Sequence, residues 1–411
     1  MNSTSISEWE WRAWYVSFGI LPFLPLVASL TIVALTVRVW WRDWRSLVGD
    51  RDLRLLFVWI GLLAVSVLAS PSPLDSLLGA FNFWPLVFVF GALTRVLTDR
   101  QRLRRFTWAI VLSCLGICAI GLGELVAGWS IPQTGGFFDF PLIAGGTPPG
   151  RMSSLFPHAN ALSNYAAIAW ALLLGLAFPS KKSPPRWSAI AALALAIAAM
   201  LFLGSSRNAW GVAFLVSVAF AIYRHWWPIV AAIGGAIGVV GAAAFAPETF
   251  ATPFRAIVPY TIWGRLSDRM YPDRPIASLR ATQWNYALDL TADRPFLGWG
   301  LNSFSPLYEA DTGFFVGHPH NLYLMLAAET GTIAALVLLV AVGSILARTA
   351  IGLWRQRFAP ETRPLAFAFL IAFLATSTYH LLDVTLFDLP VNLVGWALLA
   401  GLVGIRTEAR S

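Results

Sequence analysis

Apolar residues in this chain come in long, nearly unbroken runs, not in the stripes or alternations of soluble helices and strands. A membrane-crossing helix needs about 20 mostly apolar residues. Runs approaching or meeting that length occupy roughly 14–37, 55–70, 79–95, 106–128, 155–178, 187–204, 208–223, 227–246, 320–347, 364–382 and 386–405. They predict an all-α, polytopic integral membrane protein with about 11 transmembrane helices, within 10–12 because 55–70 and 208–223 are short. Most connections are brief, but 247–319 is a segment of about 70 residues. It divides the chain into an N-terminal helix group (1–246), a large loop with short helices (247–319) and a C-terminal helix group (320–411).

Composition agrees with that reading. Of 411 residues, 57% are hydrophobic and only 12% are charged, about half the share of a soluble domain. The net charge of +8 would suit nucleic acid, but its placement rejects such a partner. The basic residues gather between spans: Arg38, Arg42, Arg45, Arg51 and Arg54; five arginines in 95–105; Lys181, Lys182 and Arg186; and Arg348, Arg355, Arg357 and Arg363. Segments 71–78 and 383–388 carry no Lys or Arg, and 129–154 carries only Arg151. This alternation puts the basic loops and the C-terminus in the cytoplasm and 247–319 outside. The arginines follow the first span, which favours an uncleaved first helix with an external N-terminus. Cys114 and Cys118 lie four apart in one apolar run and read as packing residues.

Ionisable residues in lipid are costly enough to mark function, and here they collect toward the outer face. Glu124, Arg207, His380 and Asp383 lie at outer span ends; His158 and Asn160 open one span, and His320 and Asn321 another. Glu329 falls about 14 Å inward of His320 at 1.5 Å per residue. One-sided chemistry fits this better than transport, for which polar groups at the midplane and an internal repeat are expected.

The stretch from Arg280 to Gly331 concentrates the signal. Ser278 is a candidate cap for a helix whose face would hold Arg280, Trp284, Ala287, Leu288 and Thr291, lying on the membrane. Pro295, Gly298 and Gly300 then break it and read as a hinge or lid. Plainer readings stand beside each residue: a snorkelling arginine for Arg207, a surface-helix arginine for Arg280, a helix-start residue for His320, a neighbour-helix hydrogen bond for Glu329. His318 and His320 as a zinc pair lack a third ligand at suitable spacing.

Four motifs, Gly204–Trp210 (GSSRNAW), Ser278–Trp284 (SLRATQW), Arg294–Phe304 (RPFLGWGLNSF) and His320–Gly331 (HNLYLMLAAETG), with the long loop between helix groups, resemble the O-antigen ligase and O-antigen polymerase superfamily, most closely the ligases. The resemblance covers about 150–385. It implies a metal-independent, cofactor-free glycosyltransferase of the bacterial inner membrane, working on the periplasmic face with an undecaprenyl-diphosphate-linked glycan as donor. The acceptor is the lipid A core in ligases or a second lipid-linked glycan in polymerases; the competing class is a lipid-linked sugar transporter. On that basis Arg207 and Arg280 would clamp the diphosphate, and His320 would be the base. Arg265, Arg269, His158, Asn160, Asn321, Trp284 and Glu329 would contact substrate. Guanidinium forks suit a diphosphate leaving group, and imidazole suits proton transfer near neutrality.

Overall fold

The computed structural model describes residues 6–132, 141–178, 187–267, 269 and 275–408. The described residues are helical, with no strand among them. In order, the first helices are α1 (Glu8–Ile20), α2 (Pro25–Val48), α3 (Arg51–Ala69), α4 (Pro73–Ala80), α5 (Trp84–Val96) and α6 (Arg100–Val126). Next come α7 (Ala159–Leu176), α8 (Trp187–Leu203), α9 (Arg207–Tyr223), α10 (Trp227–Phe245), α11 (Glu248–Ile257) and α12 (Tyr260–Leu266). The last six are α13 (Arg280–Asp293), α14 (Phe304–Thr312), α15 (Leu322–Thr330), α16 (Thr332–Trp354), α17 (Arg363–Tyr379) and α18 (Leu389–Glu408).

Polar caps set many of the starts. Asp50 accepts the Asp52 N–H ahead of α3, and Asp99 accepts the Arg102 N–H ahead of α6. Ser206 and Asn321 do the same for α9 and α15, each satisfying backbone donors that have no partner inside the helix. Among the described residues, eight spans are long and apolar enough to cross a membrane, the pattern of a multi-pass membrane protein. Helices α8, α9 and α17 are apolar but reach only 17 residues each, the short end of the crossing range. Burial orders the bundle: 83% of the α7 window is buried against 11% of the α10 window. Hence α7 is the central post, packed mainly on α17, α8 and α9, and α10 is a rim helix.

Two of the expected spans take a different form. The run at 14–37 is two helices. Buried Glu10 of α1 pairs with Arg38 and Arg42 of α2, and Trp11 stacks under Arg102 of α6. The pair is therefore a hairpin, and Ser7, just before α1, lies beside the basic ends of α2 and α6, not at the opposite face. The run at 320–347 breaks at Gly331, whose φ of +81° separates α15 from α16. Lys181, Lys182 and Arg186 lie outside the described residues.

Between α10 and α15, helices α13 and α14 gather around a small apolar cluster of their own. Ala287 and Leu290 of α13 pack with Phe304 and Tyr308 of α14 and Ala328 of α15, and the Tyr308 hydroxyl donates to the Ala277 carbonyl at 2.6 Å. The Pro295–Gly300 turn is anchored instead of hinged. Trp299 and Gly300 donate their N–H groups to the Ala328 and Glu329 carbonyls. Ser66 and Ser70 of α3 donate to the Leu297 and Trp299 carbonyls, and Ser76 of α4 accepts the Leu301 N–H. A turn stapled at five points to three helices is a strap that fixes α13 on the bundle.

Candidate active site

The site forms where the N-termini of α7 and α9 meet the ends of α13 and α17 and the loop before α15. Tyr379, the last residue of α17, joins them: its hydroxyl donates to the Asn160 carbonyl at 2.9 Å, and its own carbonyl accepts the Asn208 amide at 2.7 Å. The resulting cavity, about 510 Å³, is lined by the Pro148–Arg151 turn, Asn160, Ser205–Asn208, Arg280 and Asp383. Three guanidinium groups (Arg151, Arg207 and Arg280) thus share one pocket with one carboxylate. Helices α7 and α9 begin there, adding the partial positive charge of their N-terminal N–H groups. The pocket is built for an anion.

Arg151 reaches it on a turn pinned from below. Buried Glu124 accepts the N–H groups of Ser153 and Ser154, each at 2.9 Å, and the Ser153 hydroxyl at 2.7 Å. From this turn Arg151 donates to the Gly204 carbonyl (2.9 Å) and to Asn160 Oδ1 (2.6 Å).

Beside the cavity, His320 Nδ1 lies 3.0 Å from Asp383 Oδ1. Asp383 also takes the Asn160 amide at 2.5 Å and the Val384 N–H at 2.9 Å. Burial pushes this carboxyl up, but the His320 hydrogen bond and the neighbouring histidines outweigh it and hold Asp383 well below the usual carboxylate range. An ionised Asp383 accepts a hydrogen bond from the His320 Nδ1–H, which leaves Nε2 with the lone pair. His320 itself has φ +52°, an uncommon backbone for a non-glycine. It is kept there by the Asn321 cap and by the Leu322 N–H, which donates to the His380 carbonyl at 2.9 Å.

His318, His320 and Asp383 present three donor atoms within 4.8 Å of one another, so the third group that sequence spacing failed to supply comes from the loop after α17. The hydrogen bonds there set the ring tautomers. His318 Nδ1 accepts the His320 N–H at 3.2 Å, so the His318 proton sits on Nε2, which faces Asp383 at 3.9 Å. Both rings then direct N–H groups, not lone pairs, at the carboxylate. Burial holds His318 down to about 4, so its ring is neutral at pH 7.

Of the residues expected from sequence, Arg207, Arg280 and Asn160 line the cavity, and His320 joins it through Asp383. His158 caps α7 with its ring toward the Asn160 N–H (3.4 Å). Asn321 caps α15. Trp284 is half-buried one turn beyond Arg280, its indole N–H meeting no acceptor among the described residues. Leu288 is 51% exposed, and the packed face of α13 is Gln283, Ala287 and Leu290. Ser278 does not cap α13, because its hydroxyl donates to the Pro275 carbonyl and Leu279 is the N-cap. Two residues stand apart from the cavity. Glu329 accepts the Phe304 N–H at 3.1 Å at the start of α14, and Arg269 pairs with Glu248 at 2.9 Å. Arg265 belongs to α12, but its side chain lies outside the described residues.

Sequence reasoning did not assign Arg151 or Asp383 to the site. The available signals were the lone arginine of the 26-residue connection 129–154 and a carboxylate at a span end. No curated protein matches the chain. A family model described as O-Antigen ligase matches residues 191–339, the stretch that carries Arg207, Arg280 and His320, and this part of the chain is similar to the O-antigen ligase superfamily.

Proposed function

We propose that the protein transfers a glycan from an undecaprenyl-diphosphate carrier to the lipid A core, at the periplasmic face of a bacterial inner membrane with the C-terminus in the cytoplasm. The observation that carries this reading is the His320–Asp383 pair beside a cavity with three arginines. Asp383 keeps the proton on His320 Nδ1, and Nε2 removes the proton from an acceptor sugar hydroxyl. The hydroxyl oxygen attacks the anomeric carbon as the bond to the diphosphate oxygen breaks. That electron pair moves onto the leaving phosphate, where Arg207 and Arg280 hold the charge through paired hydrogen bonds, and the configuration inverts.

Neither a metal nor a cofactor is required by this route, because guanidinium groups and helix N-termini stabilise the leaving group. A general base accounts for about 10²–10⁴-fold. The remainder comes from positioning two lipid-bound substrates and from charge stabilisation.

The test is reconstitution of the full chain in liposomes with a labelled undecaprenyl-diphosphate glycan, supplied with core lipid or with a second carrier-linked glycan. Label on the core lipid is the expected result. Longer carrier-linked glycan without labelled core would instead make the protein a polymerase, and no transfer to either acceptor would remove the reading.

A further inference from the structure

One guanidinium connects the two halves of the site. Arg151 Nε donates to the carbonyl of Gly204, three residues before Arg207, and Arg151 Nη2 donates to Asn160 Oδ1. With its oxygen so engaged, the Asn160 amide nitrogen is turned toward Asp383 Oδ2, whose other oxygen faces His320 Nδ1. Swapping the Asn160 amide oxygen and nitrogen would set N–H against guanidinium and oxygen against carboxylate, so this orientation is the only one with matched donors and acceptors.

We propose that Arg151 and Asn160 are positioning residues forming a link from the anion-binding arginines to the base: Arg151 fixes Asn160, Asn160 fixes Asp383, and Asp383 fixes His320. This rests on the glycosyltransferase reading for its consequence, though not for its geometry. Charge bears it out in kind. Three guanidinium groups and one carboxylate leave the cavity two positive charges in excess, counted from its lining residues, which matches the two negative charges of a diphosphate diester. An anion drawn to Arg207 and Arg280 also lies against Arg151, so donor binding and base alignment share one side chain. The Gly204 contact tethers the loop; the Asn160 contact also sets the direction of an amide.

Asn160→Asp separates the two contacts. It keeps an oxygen for Arg151 but turns a second carboxylate on Asp383, where the two cannot both ionise at such distance. In liposomes, with the wild-type chain in parallel, Asn160→Asp is expected to lower kcat on the order of 100-fold, the weight of a general base, with donor KM within about threefold of wild type. Arg151→Gln is expected to lower kcat and raise donor KM, Arg151→Lys to recover part of both, and Arg151→Gln/Asn160→Asp to fall well short of the product of the single losses. Wild-type kcat in Asn160→Asp, or losses that multiply in the double variant, would overturn the link.

A second measurement needs no turnover. The His320 Nδ1–H proton signal, followed by NMR in detergent micelles, should move in both Arg151→Gln and Asn160→Asp. If it stays in place in both, the link is wrong whatever the substrate. If it moves while the wild-type chain transfers no glycan, the functional reading fails and the link stands.

Discussion

At the scale of single residues, the hydrogen bonds around Asp383 set where protons sit. Asp383 is surrounded by donors from four positions (His320, His318, Asn160 and Val384), so it stays ionised despite burial and fixes the His320 tautomer. His318 and His380 carry the opposite burden. Burial holds each to about 4, against an ordinary value of about 6.5. Their depressed values make the folded state reluctant to bind protons that the unfolded chain takes up readily. Stability is therefore complete above about pH 6.5 and falls as the pH drops toward 4, by at most about 3 kcal/mol per histidine. His318→Asn should flatten that decline, seen as a smaller loss of melting temperature between pH 7 and pH 4.5. An unchanged decline would mean that the His318 ring is already protonated in the folded protein. Sequence identified His320 because a histidine at a span end is conspicuous. It did not supply Asp383 as the partner, since the two residues are 63 apart and only packing brings them together.

At the scale of elements, the strap and the helix break are interlocked. Gly298 and Gly331 both adopt positive φ, and a Cβ on Gly331 would stand 2.2 Å from the Phe296 carbonyl oxygen. Gly331→Ala thus combines left-handed strain with a backbone clash, and the strap must shift with α13 and Arg280. The expected outcome is a loss of about 2–4 kcal/mol in stability together with weakened donor binding, measured by thermal unfolding and by donor KM. Retention of both would show that the strap does not position Arg280. Sequence located this break only in part. Pro295, Gly298 and Gly300 announce a turn, but whether a turn bends or is anchored depends on partners 225 to 231 residues away, here Ser66, Ser70 and Ser76. The packed face of α13 was not specified for a related reason: helical spacing proposes several stripes, and the Phe304–Tyr308 cluster selects the one through Gln283, Ala287 and Leu290.

At the scale of the molecule, hydropathy was the more dependable guide, because bilayer crossing demands long apolar runs whatever their neighbours. It failed where length alone misleads. The run 14–37 has enough apolar residues for one span, yet Leu21–Leu24 turns the chain, and Glu10 returns to Arg38 and Arg42. A topology follows from this hairpin. Ser7→Cys and Arg355→Cys should be labelled by a membrane-impermeant reagent from one side, and Gly317→Cys only from the other. Labelling of Ser7→Cys and Gly317→Cys from the same side would contradict the placement of the N-terminus.

The central claim is that His320 acts as base while the arginines hold the donor, and single-turnover transfer by His320→Ala tests it most directly. With donor pre-bound in liposomes, the variant should retain donor affinity and melting temperature and lose transfer by 10²-fold or more, about the contribution of a general base. Transfer at the wild-type rate by a folded, donor-bound His320→Ala chain would contradict the account.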